Sequence, residues 1–227
     1  LCPTTILSSQ HYHTMVTRFE NFPVTIALLN RFTTTKQRKQ ILSDLKEGKI
    51  DLLVGTHRIL SNDVVFKDLG LLCIDEEQRF GVKQKEKIKE YRETIDVLSL
   101  SATPIPRTLQ MSLMGIRGLS QIETPPLNRL PVQTYVMEKS NQLVKQVIER
   151  ELGRKGQVFY LHNQTANIES VANEIARLVP QAKIGIGHGR MSKDELEKVM
   201  QAFVDKEYDI LVCATIIETG IDIPNAN

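Results

Sequence analysis

The apolar run Leu69-Gly70-Leu71-Leu72-Cys73-Ile74 ends abruptly in Asp75-Glu76-Glu77-Gln78. An apolar run of that length reads as a strand buried on both faces, and parallel strands present ligand-binding groups at their carboxyl ends. A carboxylate emerging there can hold Mg²⁺ beside phosphates, and the next carboxylate can orient a hydrolytic water. Taken alone, the same residues also suit an acidic turn that closes a strand. The run Ile95 to Leu100, the next predicted strand, leads into Ser101-Ala102-Thr103-Pro104, which places small hydroxyls at the lip of the same sheet. Gly55-Thr56-His57 and Pro3-Thr4-Thr5 likewise put backbone amides and hydroxyls where strands end, groups suited to gripping nucleic-acid phosphates. Each short phrase is equally a turn or a helix cap. Their order and spacing favour a phosphate-handling site.

Strands and helices must alternate to hold these residues. Ile50 to Val54, Leu69 to Ile74 and Ile95 to Leu100 are predicted strands. Lys36 to Glu47 is a predicted helix, with Ile41, Leu42 and Leu45 on one face and Gly48 as its stop. Lys83 to Arg92 is heavily charged and reads as a solvated outer helix. Pro125, Pro126 and Pro131 then interrupt the pattern and favour an extended linker. After it the alternation restarts, with strands at Val132–Met137, Gln157–Leu161, Lys183–Ile186 and Asp209–Cys213. The matching helices are Asn141–Leu152, Asn167–Val179 and about Lys193–Val204, the last opened by a Ser192/Glu195 capping box. The fold class expected is α/β, with two parallel-sheet lobes over 1–123 and 132–227 joined by a linker at 124–131.

Composition excludes several alternatives. The chain has 227 residues, 41% hydrophobic and 25% charged, inside the range of ordinary globular domains. A net charge of +2 rules out a polybasic protein yet allows a local basic groove. No apolar run approaches the roughly 20 residues of a membrane span. Cys2, Cys73 and Cys213 lack metal or disulfide spacing and read as reduced core thiols in a cytoplasmic protein. The chain opens without Met and closes on an ordered-looking apolar phrase, so a fragment of a longer protein is expected.

Taken in order, Pro3-Thr4-Thr5-Ile6-Leu7, Gly55-Thr56-His57, Asp75 to Val82 (DEEQRFGV), Ser101 to Leu109 (SATPIPRTL) and Ala214 to Asn227 (ATIIETGIDIPNAN) resemble motifs Ia, Ib, II, III and V of superfamily-two helicases. The extended forms are similar to the group that unites transcription-repair coupling factors with RecG-type branch-migration helicases. DEEQ, Leu130 to Tyr135 and IIETGIDIPN fit the coupling factors better. The resemblance covers the whole chain. It implies two RecA-like lobes, both truncated, from the centre of an ATP-dependent double-stranded DNA translocase that displaces stalled RNA polymerase in transcription-coupled repair.

The resemblance also implies roles. Asp75 would bind Mg²⁺ through water, Glu76 would activate the attacking water, and Gln78 would sense the γ-phosphate of ATP and couple it to Ser101 and Thr103. Gly220 and Asp222 would approach the nucleotide. Thr4, Thr5, Gly55, Thr56, His57 and Thr215 would follow the DNA backbone, as would Arg190 in the turn His188-Gly189-Arg190-Met191. Contacts to RNA polymerase and excision-repair proteins would lie outside this segment. Two departures stand out: the sequence holds neither G-x-x-x-x-G-K-[ST] nor Q-x-x-G-R-x-G-R, the phosphate loop and arginine-finger motifs of the family. For the isolated chain a nucleic-acid-binding module without turnover therefore stays open, and a RecG-type motor is the alternative within the family. A small-molecule α/β enzyme using Asp75 and Glu76 as acid and base explains none of the other motifs. The 227-residue chain alone is expected to show negligible ATP hydrolysis, because the main phosphate cradle is missing. Duplex-stimulated hydrolysis by this chain, abolished in Glu76→Gln, is the contrary result.

Overall fold

The computed structural model describes residues 1–102, 118–124, 132–214 and 220–227. Helix α1, Thr5–Arg18, starts where Thr4 turns extended and its hydroxyl accepts the Leu7 N–H. Strand β1, Ile26–Leu29, pairs in parallel with β2, Leu52–Gly55, and α2, Thr35–Glu47, crosses between them. A Thr34/Gln37 capping box opens α2, and Gly48 closes it at φ 76°, a left-handed conformation that glycine adopts without strain. A tight turn, His57–Leu60, drives Ile59 and Leu60 into the core. Strand β3, Leu71–Asp75, pairs in parallel with β4, Asp96–Leu100, through α3, Val82–Arg92.

Leu1 and Cys2 lie between the two strand pairs and stitch them. The Cys2 N–H donates to the Gly55 carbonyl and the Asp75 N–H to the Leu1 carbonyl, both at 2.9 Å. Leu29, Leu45, Ile59, Ile74 and Ile88 form the core of this first lobe.

The second lobe begins with α4, Asn141–Gly153, capped by Ser140. Strands β5 (Val158–Leu161), β6 (Ile184–Gly187) and β7 (Ile210–Cys213) form one parallel sheet in the order β5–β7–β6. Residues 225–227 run along the free edge of β5, with the Gln157 N–H on the Asn225 carbonyl at 2.7 Å. Helices α5, Ile168–Leu178, and α6, Lys193–Val204, cover the sheet, and the predicted Ser192/Glu195 capping box opens α6. The spacing of Ile168, Val171, Ala172 and Ile175 aims one face of α5 at Ile210 and Val212.

Ile6, in the first turn of α1, packs with Met200, Phe203, Leu211 and Cys213 of the second lobe. Next to it, Leu7, Cys2 and Val54 pack with Ile221. One helix thus belongs to the cores of both lobes.

Several sequence expectations require correction. Val132–Met137 is no strand: it has no ladder partner among the described residues, and Val136 is 97% exposed. Strands β3 and β4 are buried on one face only, because Leu71, Cys73, Leu98 and Leu100 all project to the exposed side. Cys73 is therefore a surface thiol and not a core one. Helix α1 and strand β1 were not legible as elements. Of the 124–131 linker only Thr124 falls within the described residues.

Burial pushes the Cys2 and Cys213 thiols up to about 11. At pH 8 their thiolate fraction is then on the order of one in a thousand. Alkylation of the native chain with iodoacetamide at pH 8, read by peptide mass spectrometry, is expected to label Cys73 first. Cys2 and Cys213 should react at a comparable rate only in denaturant, and equal labelling of all three in the native chain is the contrary result.

Candidate functional site

Strand β3 delivers Asp75 to the sheet edge beside α1. The Asp75 Oδ2 lies 2.8 Å from His11 Nε2. An ionised carboxylate only accepts, so the imidazole N–H donates there. No partner of Oδ1 occurs among the described residues, which leaves that oxygen able to receive a water carried by a metal ion.

Immediately after β3 the backbone turns sharply. Glu76 sits at φ 51°, ψ 51°, a left-handed conformation that costs a non-glycine residue about 1–2 kcal/mol. The turn folds its carboxylate back against the lip of β4, where it is 3% exposed. There the Ala102 N–H donates to Oε1 at 3.1 Å, and the Gln78 amide donates to Oε2. Both oxygens of a buried charge are thereby satisfied. The Gln78 Oε1 is buried without a hydrogen-bond partner among the described residues.

The neighbouring carboxylate, Glu77, bridges to the β4 strand itself. Ser99 Oγ donates to Glu77 Oε2 at 2.6 Å, and Arg92 Nη2 reaches the same oxygen at 2.8 Å. Ser101 lies one residue past β4, beside Ala102. Thr103 falls outside the described residues.

The second half of the site meets α1 as well. Gln10 Nε2 donates to the Gly220 carbonyl at 3.2 Å, and the Asp222 N–H donates to Gln10 Oε1 at 3.0 Å. Gly220 has φ +91°, and a Cβ there would stand 3.3 Å from Leu7. Glycine is needed for the backbone angle, and the space beside Leu7 is tight. The Asp222 side chain is exposed.

The residues read as phosphate grips occupy varied settings. Thr4 caps α1. Thr5 is 2% exposed and its hydroxyl donates to Glu197 of the second lobe. Arg31 pairs with the same Glu197 at 2.6 Å and also with Asp194. Gly55 is closed in, since a Cβ there would collide with the Leu29 carbonyl and the Ile59 side chain. Thr56 is buried and His57 exposed. Arg58 is held by Asp63, which lowers the Asp63 carboxyl pKa from its ordinary range. Arg190 is exposed, beside a Gly189 with open space around its α-carbon. Thr215 falls outside the described residues.

Sequence reasoning missed Gln10, His11, Arg31 and the Glu77–Arg92 pair. Gln10 and His11 directly follow the Pro3-Thr4-Thr5-Ile6-Leu7 phrase, but their partners are 210 and 64 residues away. Among the described residues no group of three His, Cys, Asp or Glu side chains forms a metal cage. The residues still fit Mg²⁺, which commonly takes one or two carboxylates together with water and substrate phosphates.

The family described as DEAD/DEAH box helicase matches residues 1–112, and the helicase conserved C-terminal domain matches residues 138–227. The chain is 58% identical over its whole length to a transcription-repair-coupling factor of Bacillus subtilis (strain 168). It is 55% identical to one of Staphylococcus aureus (strain USA300). It spans 19% of the length of each of these relatives. Its structure is similar to that of RecG bound to a three-way DNA junction, with TM-score 0.79 and 37% identity, covering the whole of this chain and 30% of that one. A Saccharomyces cerevisiae Dbp5 structure at 15% identity and TM-score 0.70 shares the fold.

Gly55→Ala is expected to destabilise the first lobe by about 1–3 kcal/mol, the usual range for forcing atoms into a filled site. Gly189→Ala should stay within about 0.5 kcal/mol, as is usual for an open surface position. Urea unfolding of both variants checks this, and a Gly55→Ala chain as stable as the parent is the contrary result.

Proposed function

We propose that the chain, which matches the DEAD/DEAH box helicase model over residues 1–112 and the helicase conserved C-terminal domain over 138–227, is the central part of an ATP-dependent double-stranded DNA translocase. The observation that carries the proposal is the meeting of Asp75 and Gly220–Asp222 on one helix, from opposite lobes. The name shared by the 55–58% identical relatives supports a role in transcription-coupled repair, with displacement of stalled RNA polymerase as the task of the whole protein. RNA polymerase and excision-repair proteins are its proposed partners, contacted through regions beyond these residues. The first RecA-like lobe is assigned to 1–123, the linker to 124–131 and the second lobe to 132–227. Among the described residues no helix is long and apolar enough to cross a membrane, and the cytoplasm is the proposed site of action.

ATP with Mg²⁺ supplies the scissile phosphates and neutralises their charge when bound. Asp75 would hold the ion through water on Oδ1, which has no partner among the described residues. Glu76 orients the attacking water and accepts its proton, leaving its resting bond with the Ala102 N–H. Gln78 carries the state of the γ-phosphate to Glu76, which its amide already contacts, and onward to Ser101 and Thr103. Gly220 and Asp222 bring the second lobe against the nucleotide. Closure and opening of the lobes then move Thr4, Thr5, Gly55, Thr56, His57, Arg190 and Thr215 along the phosphate backbone. Phosphate contacts carry no sequence information, so binding is indifferent to sequence and steep in salt.

In the full-length protein, Glu76→Gln is expected to cut duplex-stimulated ATP turnover by about 10²–10⁴-fold, the usual contribution of a general base. Binding of a fluorescent ATP analogue should be nearly unchanged. Thr56→Ala combined with Arg190→Ala should weaken binding of two unrelated duplexes equally while sparing nucleotide affinity. Full turnover in Glu76→Gln contradicts the catalytic assignment, and unchanged or sequence-confined duplex binding contradicts the DNA track.

A further inference from the structure

We propose that Gln10 and His11, consecutive on α1, are positioning residues that tie the metal-holding carboxylate of the first lobe and the nucleotide-facing turn of the second lobe to one rigid helix. This rests on the reading above of Asp75 and of Gly220–Asp222. Consecutive helical residues project about 100° apart, so one turn of α1 can address two different elements. His11 reaches across to β3 of its own lobe, and Gln10 reaches the 220–222 segment of the other.

The Gln10 contact is specific in form. Its amide donates to the Gly220 carbonyl and accepts from the Asp222 N–H, so both ends of one side chain hold one short piece of backbone. Backbone capture of this kind fixes position whatever the neighbouring side chains do. Leu7, one turn earlier, packs beside Gly220 and limits approach from that side. The His11 contact fixes one oxygen of Asp75 and leaves the other without a partner among the described residues.

Alanine at position 10 removes both hydrogen bonds together, and it is a good helix former. Glutamate can still accept the Asp222 N–H, but it cannot donate to the Gly220 carbonyl. These substitutions separate positioning from mere packing. The N-terminus of the same helix carries Thr4 and Thr5, two of the residues assigned to DNA, about 7–9 Å along the axis from Gln10 at 1.5 Å per residue. A nucleotide bound at the half-sites and a phosphate gripped at the helix start therefore act on one rigid body. What one ligand does to the helix, the other must feel.

The test uses the full-length protein. Duplex affinity is titrated with and without a non-hydrolysable ATP analogue, and the ratio of the two dissociation constants measures their linkage. In wild type this ratio is expected to be at least fivefold, the lower end of usual allosteric coupling. Gln10→Ala should bring it to within about twofold of unity, with each binary affinity and the unfolding midpoint nearly unchanged. Gln10→Glu should do the same, which guards against a folding defect peculiar to either variant. Steady-state kinetics should show kcat lowered with KM for ATP unchanged. For His11→Ala, the Mg²⁺ concentration giving half-maximal analogue binding should rise several-fold, and His11→Gln, which retains an N–H donor, should restore part of it. Wild-type linkage in both Gln10 variants overturns the positioning role while leaving the motor assignment standing. A wild-type protein that binds duplex and nucleotide without any linkage overturns the motor reading, and this inference with it.

Discussion

The burial of Ile6 in a cluster built by the other lobe is the contact on which the remaining geometry rests. Its partners Met200, Phe203, Leu211 and Cys213 are all buried, and the Phe203 ring meets Phe159 at a tilt, with centroids 4.8 Å apart. Burying one such side chain contributes about 1.5–3 kcal/mol. The polar rim around it contributes less. Arg31 pairs with Asp194 and Glu197, but the Asp194 side chain is 77% exposed, and ion pairs so open to water are worth about 0–1 kcal/mol. The apolar contact contributes the larger share of the energy. Thr5 belongs to that rim through Glu197, so a DNA phosphate at Thr5 would compete with a carboxylate for the same hydroxyl.

With α1 seated in this way, its next turn falls between the end of β3 and the 220–222 segment. Asp75 arrives from β3, Gly220 and Asp222 arrive from the far lobe, and Gln10 and His11 meet them. The strain at Glu76 belongs to the same arrangement. A left-handed turn directly after β3 lets Asp75 face α1 while its neighbour folds back toward Ala102. Two adjacent carboxylates thereby acquire different surroundings, one reachable by a metal-borne water and one withdrawn. Such separation suits a site in which one carboxylate holds charge and the other moves a proton.

Much of the architecture was legible because local chemistry and tertiary packing agree. The Ser192/Glu195 box, the Gly48 stop and the apolar spacing of α5 each signal their element without any long-range information. Helix α1 was not legible because Ser8 to Thr14 is largely polar and its buried residues, Thr5, Ile6, Leu7 and Ser8, are half polar. Strand β1 is only four residues long and follows closely on Pro23. The run Val132–Met137 has strand-like residues, yet a strand exists only where a ladder partner meets it. Cys73 shows the limit of reading burial from an apolar run, since the pleat sends alternate residues to opposite faces and only one face is covered. At the site, the carboxylates at the end of β3 were readable from position. Gln10 and His11 were not, because their roles arise from contacts that span most of the chain.

Amide hydrogen exchange of Ile6→Ala, compared with the parent chain, tests the shared helix most directly. Truncating a buried isoleucine removes about 2–5 kcal/mol of packing, and that loss should appear in both lobes. Exchange is expected to accelerate within α1 and equally in peptides covering Met200, Phe203 and β7 of the second lobe, with β1 and α3 little changed. Acceleration confined to residues 1–18, with the Met200 to Cys213 region as protected as before, would contradict it.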